Sequence, residues 1–181
     1  MKNFHIPLFC MAILFLVVQS CQAPCPEVEE AEPGLLEISS TIDQDIEMVT
    51  AYMNALVSSD SAAIRSYLTD DFMSYYMTSP TDSSNANEHI AAWKSFGEQR
   101  SNQANEIVAA SSLKVNSGRF EGNWVQVWGT YSATWNDSGT AIEIPYHVNL
   151  NIVDGKISRE YGYYDRLAIN VQLGYELTRS E

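Results

Sequence analysis

Cysteine is scarce in this chain, with three in 181 residues, and cations are outnumbered, with 10 lysines and arginines against 23 aspartates and glutamates. The net charge of −13 opposes phosphate backbones. The basic residues are scattered (Lys94, Arg100, Lys114, Arg119, Lys156, Arg159) and form no stripe, which sets nucleic acid aside as a partner. Glycine (9) and proline (6) are too few for a fibrous or low-complexity chain. No apolar run is long enough to span a bilayer. The longest, Leu8 to Val18, has eleven residues against the ~20 a membrane helix needs. Its length and position after Lys2 suit the apolar region of a secretory signal.

That run ends in Val18-Gln19-Ser20-Cys21, which resembles a bacterial lipobox, with Gln19 as its departure from the usual pattern. The resemblance implies a signal peptide over 1–20, cleavage before Cys21, lipidation (palmitate among the acyl chains) of Cys21, and a place in the cell envelope, at the outer membrane. Multiple acyl chains anchor firmly, because each buried CH₂ adds ~0.8 kcal/mol. Cys10 would then leave with the signal and Cys25 would stand alone, so neither a disulfide framework nor a cysteine metal site is expected. Residues 21–39, with three prolines and Glu27, Glu29, Glu30 and Glu32, read as an acidic tether. The domain is expected over 40–181.

The domain is organised around three strands in succession: Phe120 to Trp135, Thr140 to Val153 and Lys156 to Asp165. Asn136-Asp137-Ser138-Gly139 and Asp154-Gly155 supply the hairpins between them. In the middle strand Ile144, Tyr146, Val148, Leu150 and Ile152 alternate with polar residues, the period-2 mark of a half-buried strand. Upstream, Thr41-Ile42-Asp43-Gln44 fits a capping box. Ile42, Ile46, Val49, Met53 and Val57 follow as one helical face. A short helix (Ser61 to Leu68), a strand (Phe72 to Met77), a loop (Thr78 to Asn87), a helix capped by Asn87 with Ile90, Trp93 and Phe96 inward, and a strand (Asn105 to Val115) complete the order. Leu167 to Leu173 reads as a helical tail.

This order predicts an α+β fold, α-α-β-α-β-β-β-β. The expected form is cone-like: a curved antiparallel sheet with the helices on its concave face and a pocket at its open end. Tyr67-Leu68-Thr69-Asp70-Asp71-Phe72, Asp154-Gly155-Lys156-Ile157, Tyr163-Tyr164-Asp165 and Gln172-Leu173-Gly174 together resemble the SnoaL-like branch of the nuclear transport factor 2 superfamily over residues 40 to 175. That superfamily includes isomerases, cyclases, dehydratases and epoxide hydrolases beside non-catalytic binders, so the fold by itself does not name an activity.

In the cyclase-like members the last strand carries an aromatic-x-acid-Tyr-x-Asp pattern. Here the stretch is Glu160-Tyr161-Gly162-Tyr163-Tyr164-Asp165, with Gly162 where the acid belongs. Which face these residues take depends on the hairpin. A two-residue turn pairs Val153 with Lys156 and sends Arg159, Tyr161, Tyr163 and Asp165 inward; a bulged turn sends Ser158, Glu160, Gly162 and Tyr164 inward. The first buries more aromatic surface and is the preferred expectation. Catalytic candidates are Asp165, Tyr163 and Glu160. Asp165 precedes Leu167 to Leu173 and is better placed to cap that tail helix than to act as a base. Pocket candidates are Tyr52, Tyr75, Trp93, Phe96, Tyr146 and Tyr163. His89 and His5 lack partners at ligand spacing, so no metal and no cofactor are expected.

Three functions fit. The leading one is a lipid-anchored domain that binds a small apolar or aromatic molecule. The alternatives are an isomerase, cyclase or dehydratase with a pocket carboxylate as base, and an interaction module that forms a homodimer through Trp124 or Trp128, Tyr131 and Trp135.

Overall fold

A computed structural model of the chain describes residues 34–76, 79, 81–176 and 178. The stretch read as a signal peptide, Cys21 and most of the stretch read as a tether lie outside the described residues.

A short strand lies inside the stretch read as tether. Strand β1 (Leu36–Ile38) pairs antiparallel with β4 (Arg100–Val115). Helix α1 (Ile42–Val57) buries Val49, Tyr52, Met53 and Leu56, so the inward stripe runs one residue round from the expected Ile42/Val57 line. Thr41 caps this helix in position only, without the expected side-chain cap bond. Its hydroxyl instead donates to the buried Asp45 carboxylate at 2.8 Å, which also accepts Ser112 Oγ at 2.7 Å and Ser39 Oγ at 3.1 Å. A buried carboxylate needs such donors, and these three tie α1 to β4 and to the chain entering the helix.

Asp60 caps α2 (Ser61–Tyr67) by accepting from the amides of Ala62 and Ala63. Strand β2 (Leu68–Tyr76) then begins four residues earlier than expected. Three residues of the expected loop form β3 (Ser83–Asn85), paired with β2. Asn85, not Asn87, caps α3 (Ala86–Gln99), in a full capping box with Glu88. Strands β4 (Arg100–Val115), β5 (Gly122–Trp135), β6 (Ala141–Val153) and β7 (Lys156–Tyr164) follow, then α4 (Arg166–Gln172).

The strands form one seven-stranded sheet in the order β1-β4-β5-β6-β7-β2-β3. This corrects the expected cone in two ways. The sheet is open, not strongly curled upon itself: among the described residues β1 and β3 are its edges, and at three residues each they are too short to close it. Nor is it wholly antiparallel, because β2 lies parallel to β7. The inner face carries the core. Val125, Val127, Val148 and Leu150 from β5 and β6 pack with Tyr52 and Leu56 of α1.

The last hairpin resolves the register. Asp154 (φ 50°) and Gly155 (φ 71°) form a two-residue turn that pairs Val153 with Lys156 and Ile152 with Ile157, as the preferred expectation has it. The register then slips, and Asn151 pairs with Arg159, leaving Ser158 as one extra residue. Its hydroxyl donates to Asn151 Oδ1 at 2.7 Å. This bulge inverts every residue beyond it. Glu160, Gly162 and Tyr164 pair with Leu150, Val148 and Tyr146 on the inner face, while Arg159, Tyr161 and Tyr163 turn outward.

Candidate functional site

Between α1, α3 and the inner face of β4–β7 lies a cavity of about 360 Å³, a size suited to a small organic molecule. Met53, Leu56, Trp93, Phe96, Ile144 and Val148 give it an apolar wall. Its polar lining includes Glu160 and Tyr76 toward β2 and β7, and Arg100, Asn105, Tyr131 and Tyr146 toward the start of β4.

Glu160 is 7% exposed. Its Oε2 accepts Tyr52 Oη at 2.6 Å, and its Oε1 accepts Ser74 Oγ at 3.3 Å. Tyr52 has one hydroxyl proton, and that proton is committed to Glu160. At 2.9 Å from Tyr52 Oη, His89 Nε2 must therefore be the donor. In neutral His89, Nδ1 is then free to accept from Tyr76 Oη, 3.4 Å away. The bonds run in one direction, from Tyr76 through His89 and Tyr52 to the carboxylate. His89 Nε2 itself stands 4.0 Å from Glu160 Oε2. Burial, and then the charge of Glu160, push the Tyr52 hydroxyl well above the ordinary tyrosine range. The same two causes, in the same order, raise Tyr76. Both hydroxyls therefore stay protonated donors across the physiological range.

At the other end Tyr146 Oη donates to Asn105 Oδ1. Burial pushes Tyr146 up to about 12, with Asn105 pulling weakly the other way. Gly129 makes this placement possible. A Cβ there would overlap the Tyr146 ring and sit 2.6 Å from the Glu106 carbonyl oxygen. Arg100 donates to Tyr131 Oη at 3.2 Å, and Tyr131 donates on to Gln103 Oε1 at 2.8 Å.

The sequence candidates divide. Glu160 is brought to the cavity wall, along with Trp93, Phe96 and Tyr146. Tyr52 stands behind the wall, fully buried, and serves Glu160 rather than the cavity. Tyr75 is on the opposite face of the sheet, stacked on Tyr161 with ring centroids 4.8 Å apart. Tyr163 contributes to the cavity wall, but its ring packs 5.8 Å from His147 on the outer face and it is 39% exposed. Asp165 is the N-cap of α4, accepting from Leu167 N at 2.8 Å and Ala168 N at 3.1 Å. Of the expected dimer residues, Trp124 and Trp128 face outward. Tyr131 lines the cavity and Trp135 holds Arg100.

The sequence reading missed His89, Ser74, Tyr76, Arg100 and Asn105. His89 had a signal: it falls on the stripe Ala86, His89, Trp93, Phe96, an imidazole on an apolar helix face. The others become visible only once strands are paired. Among the described residues no group of three or more His, Cys, Asp or Glu side chains is placed to share a metal ion.

No protein-family model matches the chain, and no curated protein sequence matches it. Solved structures do share the fold. One is a candidate SnoaL-like polyketide cyclase from Jannaschia sp. CCS1, 14% identical, covering 78% of this chain and 99% of that one, with a TM-score of 0.63. Another is a protein with a ketosteroid isomerase-like fold from Catenulispora acidiphila DSM 44928, solved in complex with trimethylamine (18% identity, 72% and 94% coverage, TM-score 0.58). A third is an LEH-like epoxide hydrolase from M. tuberculosis (14% identity, 73% and 90% coverage, TM-score 0.57). The chain therefore has the fold of the SnoaL-like and nuclear transport factor 2-like structures.

Proposed function

We infer that this domain is an enzyme of proton transfer, of the isomerase, cyclase or dehydratase kind, acting on a small, largely apolar molecule with Glu160 as general base. One observation carries the reading: a carboxylate held by Tyr52 and Ser74 at the wall of an otherwise apolar cavity. Two of its lone pairs are occupied by hydroxyl donors, which leaves acceptor capacity for a proton from the cavity. Glu160 would take a proton from a substrate carbon, hold it as the neutral acid, and return it to another substrate atom. That sequence needs no further reactant. His89 would keep Tyr52 aligned as the donor, and Tyr76 would present a neutral hydroxyl at the same wall. Non-catalytic binding, the leading reading of the sequence, leaves this arrangement of donors behind a buried carboxylate without a purpose. The neighbouring structures described as an epoxide hydrolase and a candidate polyketide cyclase also favour catalysis.

The test is an activated proton-transfer substrate, 5-nitrobenzisoxazole, whose ring opening by a base is followed by the absorbance of the phenolate formed. The expected result is acceleration over buffer that falls ~10²- to 10⁴-fold in Glu160→Gln. Turnover indifferent to that exchange would overturn the reading.

Two further properties belong here. Anchoring to the envelope through Cys21 is supported by Leu8 to Val18 and Ser20-Cys21. Incorporation of a fatty-acid analogue that Cys21→Ala abolishes would establish it. A homodimer through the outer sheet face is supported by Trp128 and Tyr163, 44% and 39% exposed, on either side of His147. Sedimentation at micromolar concentration, compared with Trp128→Ser, tests it.

A further inference from the structure

We propose that the end of the cavity remote from Glu160 is a carboxylate-binding subsite, built by Arg100 and Asn105, so that the molecule taken is an apolar or aromatic acid bound in one orientation. The inference rests on reading the cavity as a small-molecule site.

Arg100 is half-buried, and its guanidinium is held between two rings, 4.0 Å from the Phe96 centroid and 4.2 Å from that of Trp135. In a chain of net charge −13 an arginine so placed would ordinarily find a carboxylate. No aspartate or glutamate among the described residues lies at ion-pair distance from it. Among the described residues its one side-chain hydrogen-bond partner is the neutral Tyr131 hydroxyl, and its Nε is buried without a hydrogen-bond partner. Asn105 repeats the pattern. Its Oδ1 is taken by Tyr146, while its Nδ2 is buried and unpartnered. Both residues line the cavity. Two unrelated side chains thus leave donors, one of them cationic, unsatisfied at one end of an apolar chamber. Buried donors in that state cost stability unless an acceptor arrives. A carboxylate supplies the acceptors, and ring stacking fixes the guanidinium plane in advance.

The opposite end dictates orientation. Glu160 pairs with Leu150, and Asn105 lies level with Tyr131 and Ile144, six residues along β6. That is about 20 Å of strand at ~3.3 Å per residue, narrowed by side chains reaching in from both ends. An acid group would be repelled by Glu160 and drawn to Arg100. Its apolar body would lie against Trp93, Ile144 and Val148, and the carbons farthest from the acid would meet the base.

Calorimetric titration of the protein with phenylacetate and 4-phenylbutyrate, each beside its primary amide, tests this. At least one acid is expected to bind about tenfold more tightly than its amide. Arg100→Gln should abolish that preference while leaving the amide's affinity in place. Asn105→Asp, nearly isosteric and adding a negative charge, should weaken the acid and spare the amide, and unchanged melting of either variant shows that the fold is kept. Equal binding of acid and amide, a preference that survives Arg100→Gln, or no binding of either compound would overturn the subsite. Glu160→Gln separates the two readings. If it abolishes turnover of 5-nitrobenzisoxazole while acids and amides bind alike, the catalytic reading stands and the subsite falls. If the acid preference holds and turnover ignores Glu160, the reverse is true.

Discussion

The two faces of the sheet are built from the same strands and do opposite things with their aromatic rings. On the inner face, rings and aliphatic side chains pack against α1 and α3, and four tyrosine hydroxyls are assigned there: Tyr52 to Glu160, Tyr76 to His89, Tyr146 to Asn105, Tyr131 to Gln103. On the outer face the rings meet one another. Tyr75 stacks on Tyr161, Trp124 and Phe120 lie at 5.9 and 6.2 Å from Tyr161, and Trp128, His147 and Tyr163 form a second group. Ring count is therefore no guide to where a ligand goes. What distinguishes the inner face is the committed polar groups set among its rings, and one extra residue, Ser158, decides which face receives Glu160.

Moving that extra residue should break the comparison most severely. Inserting an alanine after Ser158 would turn Glu160 and Tyr164 outward and Arg159 and Tyr161 inward, at a cost expected to exceed ~4 kcal/mol. Loss of cooperative urea unfolding would report it. Deleting Ser158 has the opposite logic, since Ile157 and Arg159 would then alternate regularly. That variant should fold and keep turnover sensitive to Glu160.

Next in size is Tyr52→Phe. It removes the donor to Glu160 and the acceptor for His89 in a single exchange, and should cost about 2–3 kcal/mol in urea denaturation.

The alkaline limb of stability is a milder test. Tyr146 has its folded pKa raised to about 12 from the ordinary tyrosine value of 10.0. The unfolded chain thus gives up this proton before the folded one does. The contribution is fully present below pH ~10 and is lost as pH rises from ~10 to ~12. Tyr146→Phe should flatten that limb, as seen in melting temperature against pH. Tyr163→Ser, at a ring 39% exposed, should change stability by no more than about 0.5 kcal/mol in urea denaturation.

Much of this architecture is legible in the sequence. The alternation of Ile144 to Ile152, the turn at Asp154-Gly155, the amphipathic character of α1 and α3 and the cap at Asp165 all rest on local chemistry, and local chemistry reads off the chain. Three features resist such reading. The expected curling fails because closure depends on which strands end up at the edges, and β1 and β3 are too short for any periodicity to reveal. The inward turn of Glu160 depends on a bulge that no residue type announces, since a serine is at home in either register. The Arg100 and Asn105 end is built from residues whose meaning lies in the bonds they lack, and a missing bond leaves no trace in spacing. Glu160 and the capping role of Asp165 were both weighed from sequence. The pairing settles Asp165 as the cap and brings Glu160 to the cavity.

The parallel pairing of β2 with β7 also has a consequence in time. Ser74 and its hydrogen-bond partner Glu160 stand 86 residues apart, and the strands β3, β4, β5 and β6 must be laid down before the second can reach the first. A chain emerging from the ribosome completes α1, β2 and α3 while one wall of the chamber has yet to be synthesised, with the flank of β2 open meanwhile. Such distant closures slow folding and leave an unpaired strand edge open to other chains. The last strand to be made is thus the one that both seals the domain and delivers its acid.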